Sequence, residues 1–292
     1  MLPVERPAKG FTTRFAPAPT GLLHLGHVAS AIAVWGVARA FGGRVLLRIE
    51  DHDKIRSRPE YEAAILEDLC DLGFQPDEPA VRQSDRDGKY REALSRLESR
   101  GLVYPCGCSR KAIEAAAGPR ALELRYPGTC RDRAVDPGSV SGRRVRLDTG
   151  VIAFRDLRLG EIEQNPSEQC GDVLVQDRDG HWTYQFAAVV DDIDQGVDLV
   201  VRGEDLLAST GRQIQIASLL GRKTPPRFLH HALMTRPDGH KLSKSNRDTG
   251  VRELRSAGWS VERVLGQAAA VVGLTAGEPV DLKTLVSRIQ AP

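Results

Sequence analysis

Arg14-Phe15-Ala16-Pro17-Ala18-Pro19-Thr20-Gly21-Leu22-Leu23-His24-Leu25-Gly26-His27 is the stretch from which the fold can be read. Its first residues complete a short strand pattern over 11–16, and the apolar run 28–41 that follows is helical in length and stops at Gly42-Gly43. Between them lies a turn rich in proline and glycine. In an open parallel sheet, ligands bind at the carboxyl ends of the strands, so this turn sits where a site would be. Gly21 and Gly26 allow close main-chain approach, and a helix start favours anionic phosphate. Two imidazoles one turn apart, His24 and His27, can hydrogen-bond phosphate or pack on a purine; the plain alternative is surface or capping histidines.

Working outward, residues 44–49 read as a strand ending at Glu50-Asp51. A helix follows with Pro59 in its first turn, and another runs over about 88–100. Strand, helix, strand, helix predicts an α/β protein with a doubly wound parallel, Rossmann-type nucleotide-binding sheet. After Val103 the pattern changes: cysteines, short basic helices and brief strands such as 144–147 and 173–175 suggest an insertion with its own small core. Alternation resumes with a strand over 198–205, a helix over 209–220 and a strand over 228–234, and the tail is helical in pattern. The expected division is a first half of the sheet domain (1–103), an inserted subdomain (104–180), a second half of the sheet domain (181–245) and a short C-terminal helical segment (246–292).

The 292 residues suffice for one large domain or two modest ones, and 41% hydrophobic with 27% charged residues is ordinary for a globular protein. The first residues lack the apolar core of a signal peptide, and no run approaches ~20 apolar residues. A cytoplasmic protein with no membrane association and no obligate protein partner is the expectation. Net charge is only +2, yet residues 101–146 hold nine basic against four acidic residues, and 222–255 hold nine against three. Two basic segments on a near-neutral chain fit a polyanion gripped at chosen places, or simply two solvated surfaces.

More than two hundred residues beyond the first motif comes Lys241-Leu242-Ser243-Lys244-Ser245, two ammonium groups and two hydroxyls after the turn-forming Asp238-Gly239. Such a loop suits a polyphosphate whose charge grows during reaction. Arg14 and Arg202 could offer planar bidentate partners to carboxylates, Glu50 a counter-charge to an ammonium, and Tyr184 a hydrogen bond and a wall. Standing alone, Arg202 and Glu50 would read as an ordinary ion pair.

Taken together, residues 14–27, Glu50-Asp51-His52-Asp53, Tyr184-Gln185-Phe186, Val201-Arg202-Gly203-Glu204-Asp205 and the 241–245 loop resemble the class I aminoacyl-tRNA synthetases of the glutamyl type. The resemblance extends over about residues 11–250. It implies that His24, Gly26, His27 and Lys244 bind ATP, with His24, His27, Lys241 and Lys244 serving the chemistry. It also implies that Arg14, Phe15, Ala16, Pro17, Ala18, Glu50, Tyr184 and Arg202 hold L-glutamate. Two departures stand out: Ala18 where the family usually has serine, and Leu242 where methionine is commonest. The implied reaction uses ATP with Mg²⁺ to make glutamyl-adenylate, which an RNA hydroxyl then attacks. Which arginine takes which carboxylate stays open.

Cys106, Cys108 and Cys130 offer three soft ligands, a good start for structural zinc, against three buried unpaired cysteines. The resemblance supplies a fourth ligand, since short paralogues of the family bind one zinc per chain through three cysteines and a tyrosine, here Tyr126. Only 47 residues follow Ser245, too few for a separate anticodon-reading domain. That shortness also resembles the paralogues that place glutamate on the queuosine base in the anticodon of tRNA(Asp). The alternatives are a truncated enzyme charging tRNA(Glu), a small-molecule adenylylating enzyme of the same superfamily, and a non-catalytic tRNA-binding paralogue.

Overall fold

The computed structural model describes residues 5–117, 123–133, 141–233 and 250–290. The predicted alternation is present. Strand β1 (Thr12–Phe15) leads into helix α1 (Leu25–Phe41), β2 (Arg44–Ile49), α2 (Pro59–Asp71), the short β3 (Val81–Arg82) and α3 (Asp87–Glu98). β1, β2 and β3 form a parallel sheet in which Arg14 lies opposite Leu46. β2 is apolar at four of its six positions and buried at all but the first, as a parallel strand covered on both faces must be. α1 is apolar all round and deeply buried; it ends at Gly42, whose left-handed φ of 73° returns its N–H to Ala38 O.

β4 (Val103–Cys106) opens a separate antiparallel sheet, followed by α4 (Arg110–Ala117) and β5 (Gly142–Val145). β6 (Ile152–Asp156) and β7 (Gly160–Gln164) form a hairpin, then come α5 (Pro166–Gln169) and β8 (Val173–Gln176), which completes the β4-β5-β8 sheet. Tyr104, Cys106, Ile113 and Tyr126 make a small core there. The hairpin goes elsewhere. Although it lies within the span 104–180 read as an insertion, β6 pairs with β10 (Arg227–His231) in the second large sheet, of order β7-β6-β10-β9, where β9 is Leu199–Gly203. That mixed sheet abuts the first: the Asp198 N–H donates to Thr12 O at 2.9 Å, setting β9 beside β1. The parallel order therefore reverses between β1 and β9.

α6 (Tyr184–Asp194) and α7 (Thr210–Leu219) pack beneath with α3, and the closing helices α8 (Val251–Ser256), α9 (Val261–Val271) and α10 (Leu282–Gln290) complete the chain. Val264, Leu265, Ala268, Leu285 and Ile289 join the core built on α1, so the C-terminal segment buries its apolar face on the half that carries β1 and β2. Among the described residues no helix is long and apolar enough to cross a membrane.

Candidate active site

A cavity of about 370 Å³ opens at the carboxyl ends of β1 and β9, where the strand order reverses. Its lining includes Arg14, Phe15, Ala16, Pro17, His24, Gly26, His27, Glu50, Tyr184 and Arg202, so all but one of the described residues expected around ATP and glutamate meet in one place. The exception is Ala18, one residue beyond the lining on the same turn.

His24 is the N-cap of α1, and its Nδ1 accepts the Gly26 N–H at 3.1 Å; His27 Nδ1 accepts the His24 N–H at 3.2 Å. The helix start thus fixes both tautomers: a neutral ring whose Nδ1 accepts must carry its proton on Nε2. The rings lie 3.9 Å apart, centre to centre. A Cβ at position 26 would come within 2.9 Å of the His24 ring, so a larger residue there would push that ring out of place.

Lys241, Leu242, Ser243, Lys244 and Ser245 lie outside the described residues. The described residues on either side border this cavity: Leu233 lines it, and Gly250 bridges to His24, with the Val251 N–H donating to Leu23 O at 2.8 Å.

The charged groups fall into two different environments. On the β1–β2 side, Arg14 Nε donates to Asp192 Oδ1 at 3.1 Å, and Arg48, wholly buried, donates to Asp192 at 2.7 Å and to Glu50 at 3.2 Å. Arg48 also lies 3.6 Å from Asp191. Burial works against the Asp192 carboxylate, but Arg14 and Arg48 outweigh it and hold its pKa below the usual range. For Glu50 burial wins over Arg48 and Arg14, and its pKa is raised. Burial and the neighbouring Glu50 push the Tyr184 phenol up, so it stays protonated.

On the β9 side, Arg202 Nη1 donates to Gln213 Oε1 at 2.6 Å, Nη2 to Thr210 Oγ1 at 2.9 Å and Nε to His230 Nε2 at 3.1 Å. No carboxylate hydrogen-bonds it among the described residues, and burial lowers its pKa. His230 is itself wholly buried, its Nδ1 2.7 Å from Asp156 Oδ2; burial outweighs that partner and keeps the imidazole neutral. Sequence reading missed Arg48, Asp192, Asp156, Thr210, Gln213 and His230. The one available signal was Arg48, a charge inside an otherwise apolar strand.

The cysteines expected at a metal do converge: the sulfurs of Cys106, Cys108 and Cys130 lie within 4.8 Å of one another. The Tyr126 hydroxyl is 3.5 Å from Cys106 Sγ and accepts the Cys130 N–H at 2.8 Å. Arg144 reaches Cys106 Sγ at 3.3 Å and stacks on the Tyr126 ring. Burial pushes the Cys106 thiol up, but Tyr126, a backbone N–H and Arg144 bring it below its ordinary value. Three soft donors and one phenol in a compact group can hold a tetrahedral metal ion.

The likeness to known proteins agrees with this geometry. Residues 11–288 match the family of class I tRNA synthetases (E and Q), catalytic domain. The chain is 44% identical over 260 residues to the glutamyl-Q tRNA(Asp) synthetase of Burkholderia cenocepacia, covering 85% of this chain and 87% of that one. It is 43% identical over 290 residues to the glutamyl-Q tRNA(Asp) synthetase of Leptothrix cholodnii, 94% of each. A glutamate tRNA ligase from Elizabethkingia meningosepticum, solved in complex with its amino acid, superposes with a TM-score of 0.79 at 25% identity, over 95% of this chain. This chain spans 64% of that longer protein. On the match over residues 11–288, the fold and the two relatives, the chain belongs to the class I tRNA synthetases (E and Q), a ligase of the aminoacyl-tRNA synthetase type.

Proposed function

We propose that this chain activates L-glutamate with ATP and transfers it to the queuosine base in the anticodon of tRNA(Asp). The observation that carries glutamate is Arg202, a buried guanidinium whose hydrogen-bond partners among the described residues are all neutral, and which lines the same cavity as Glu50 and Tyr184. A buried cation of this kind gains most from a ligand that brings its own negative charge. Glu50, ionised, would take the ammonium, and Arg14 and Tyr184 would complete the wall. The queuosine acceptor is supported by the names of the 43–46% identical relatives.

In this reading the glutamate α-carboxylate attacks the α-phosphorus of ATP in line, an oxygen–phosphorus bond forms, and pyrophosphate leaves with the electron pair of the broken bond. A hydroxyl of the RNA then attacks the mixed anhydride and AMP departs. Mg²⁺ accompanying ATP would offset the charge of its phosphates. His24 and His27 present Nε2 protons at a helix start, Gly26 lets the phosphates approach the main chain, and Lys241 and Lys244 add positive charge as the leaving group develops. No covalent enzyme intermediate is needed.

The test is charging with radiolabelled glutamate, ATP and purified tRNA. Queuosine-bearing tRNA(Asp) is expected to accept glutamate while the same tRNA lacking queuosine does not. Charging of tRNA(Glu) instead would replace the acceptor, and no glutamate-dependent ATP–pyrophosphate exchange would overturn the activation itself.

The raised Glu50 pKa has a pH consequence. Only its ionised form offsets the ammonium, so the contribution is fully present above the Glu50 pKa and lost as pH falls through it. Glutamate KM is expected to rise on the acid side, beginning above the ordinary carboxylate range, while ATP KM holds. A glutamate KM flat down to pH 4.5 would remove Glu50 from this role.

Zn²⁺ fits the Cys106, Cys108, Cys130 and Tyr126 group, where it would tie the end of β4 to the 126–130 loop. Its contribution there is structural, a cross-link that stabilises a small core. Elemental analysis is expected to give one zinc per chain, falling below half in Cys130→Ser together with a lower melting temperature. Full-length protein purified without chelators and lacking zinc would refute the assignment.

A further inference from the structure

Any carboxylate beside Arg202 would bind the guanidinium more strongly than the groups that are there. Instead its three hydrogen bonds go to an amide oxygen, a hydroxyl and an imidazole nitrogen, and the polarity of two of these is set by a further partner. The Gln213 Nε2 donates to Gln185 Oε1 at 2.9 Å, and the Gln185 Nε2 donates to Ser209 Oγ at 2.9 Å, which turns the Gln213 oxygen toward Arg202. His230 gives its Nδ1 proton to Asp156 at 2.7 Å, which leaves Nε2 as an acceptor for Arg202. Asp156 is in turn saturated by the N–H groups of Arg158, Leu159 and His230, at 2.9, 2.9 and 3.0 Å. Arg14, the other arginine of the pocket, contrasts with this: it is already paired with Asp192.

We propose that Gln213, with Thr210 and His230, is a specificity-determining residue: it orients Arg202 through neutral acceptors, so that the cation's charge is left for the carboxylate that distinguishes glutamate from glutamine. This rests on the reading of the cavity as a glutamate site. A neutral carboxamide would fill the same volume but leave Arg202 buried without a counter-charge, whereas a carboxylate supplies it. The selectivity therefore resides as much in what the cradle withholds as in Arg202.

The test places a carboxylate in the cradle. Gln213→Glu, nearly isosteric, would neutralise Arg202 from within. The expected result is a glutamate KM raised on the order of 10²-fold, with the preference for glutamate over glutamine in ATP–pyrophosphate exchange reduced about tenfold and ATP KM within about twofold of wild type. Thr210→Asp introduces the same charge from the first turn of α7, where an acidic residue suits the helix start, and should give the same signature if Gln213→Glu folds poorly. Thr210→Val removes an acceptor without adding charge and should raise both amino-acid KM values while leaving their ratio in place, which a purely structural role would not separate from the charged variants. A wild-type ratio in folded Gln213→Glu and Thr210→Asp, or an equal loss of ratio in Thr210→Val, overturns the proposal. Absence of glutamate-dependent exchange in the wild-type protein, with tRNA(Asp) present, would instead overturn the glutamate reading beneath it.

Discussion

Arg48→Met is expected to cost about 3–5 kcal/mol of folding stability at pH 7, the range for removing one partner of a buried ion pair. Arg48 is wholly buried and joins Asp192, Glu50 and Asp191, besides donating to Gln195 at 2.9 Å. Asp191 keeps Arg86 at 2.6 Å, Gln83 at 2.7 Å and the Tyr90 hydroxyl. Among the described residues the Asp192 carboxylate keeps only Arg14 as a hydrogen-bond partner, and Glu50 loses the arginine that pulls hardest against its burial. In the wild type the depressed pKa of Asp192 contributes stability that is present above its unfolded value and lost as pH falls through the folded one. In the variant the folded pKa values of Asp192 and Glu50 move up, so their penalty is absent at low pH and grows as pH rises through those values. The deficit against wild type should therefore be largest near neutrality and shrink toward pH 5. Urea midpoints at both pH values measure it, and Arg48→Met with Asp192→Asn should recover part of the loss. A deficit below 1 kcal/mol, or one that widens toward acid, would deny Arg48 this role.

Arg48 also marks how far the sequence could be read. Strand β2 and the helix after it were legible because a run of branched apolar residues, a proline at the helix start and a glycine stop are local signals. The site residues of residues 14–27 were legible for the same reason, since a helix cap and a glycine turn are written in consecutive residues. The β6–β7 hairpin was read into the insertion because pairing with β10 is decided more than sixty residues away. Nothing near Phe154 announces Phe228, whose ring packs against it at 5.5 Å. The partners of Arg202 were illegible on the same ground: Thr210, Gln213 and His230 come from α7 and β10, and a glutamine or threonine inside a helix carries no mark of what it accepts. That Arg202 would be held by neutral groups, and Arg14 by a carboxylate, is a property of three-dimensional electrostatics rather than of residue type.

Arg202→Met is expected to lower kcat/KM for glutamate in ATP–pyrophosphate exchange on the order of 10³-fold, about 4 kcal/mol, with ATP KM within about twofold of wild type. The loss should fall on the amino acid because Arg202 sits at the end of β9 in the part of the cavity shared with Tyr184, whereas His24 and His27 stand on the α1 side. Its effect on stability should be smaller than that at Arg48. Removing Arg48 strands carboxylates in the interior; removing Arg202 strands only the neutral acceptors Thr210, Gln213 and His230, at about 1–3 kcal/mol. The substitution also takes a buried charge out of the unliganded protein, which offsets part of that cost. Arg202→Lys keeps the charge but not the planar fork that reaches three acceptors and a carboxylate at once, so it should recover only part of the activity. Measured side by side, the two arginines should separate cleanly: Arg48→Met loses its urea midpoint, and Arg202→Met keeps most of it and loses glutamate. Equal loss of stability in both, or glutamate kcat/KM within tenfold of wild type in Arg202→Met, would mean that the charge at Arg202 serves the fold and not the amino acid.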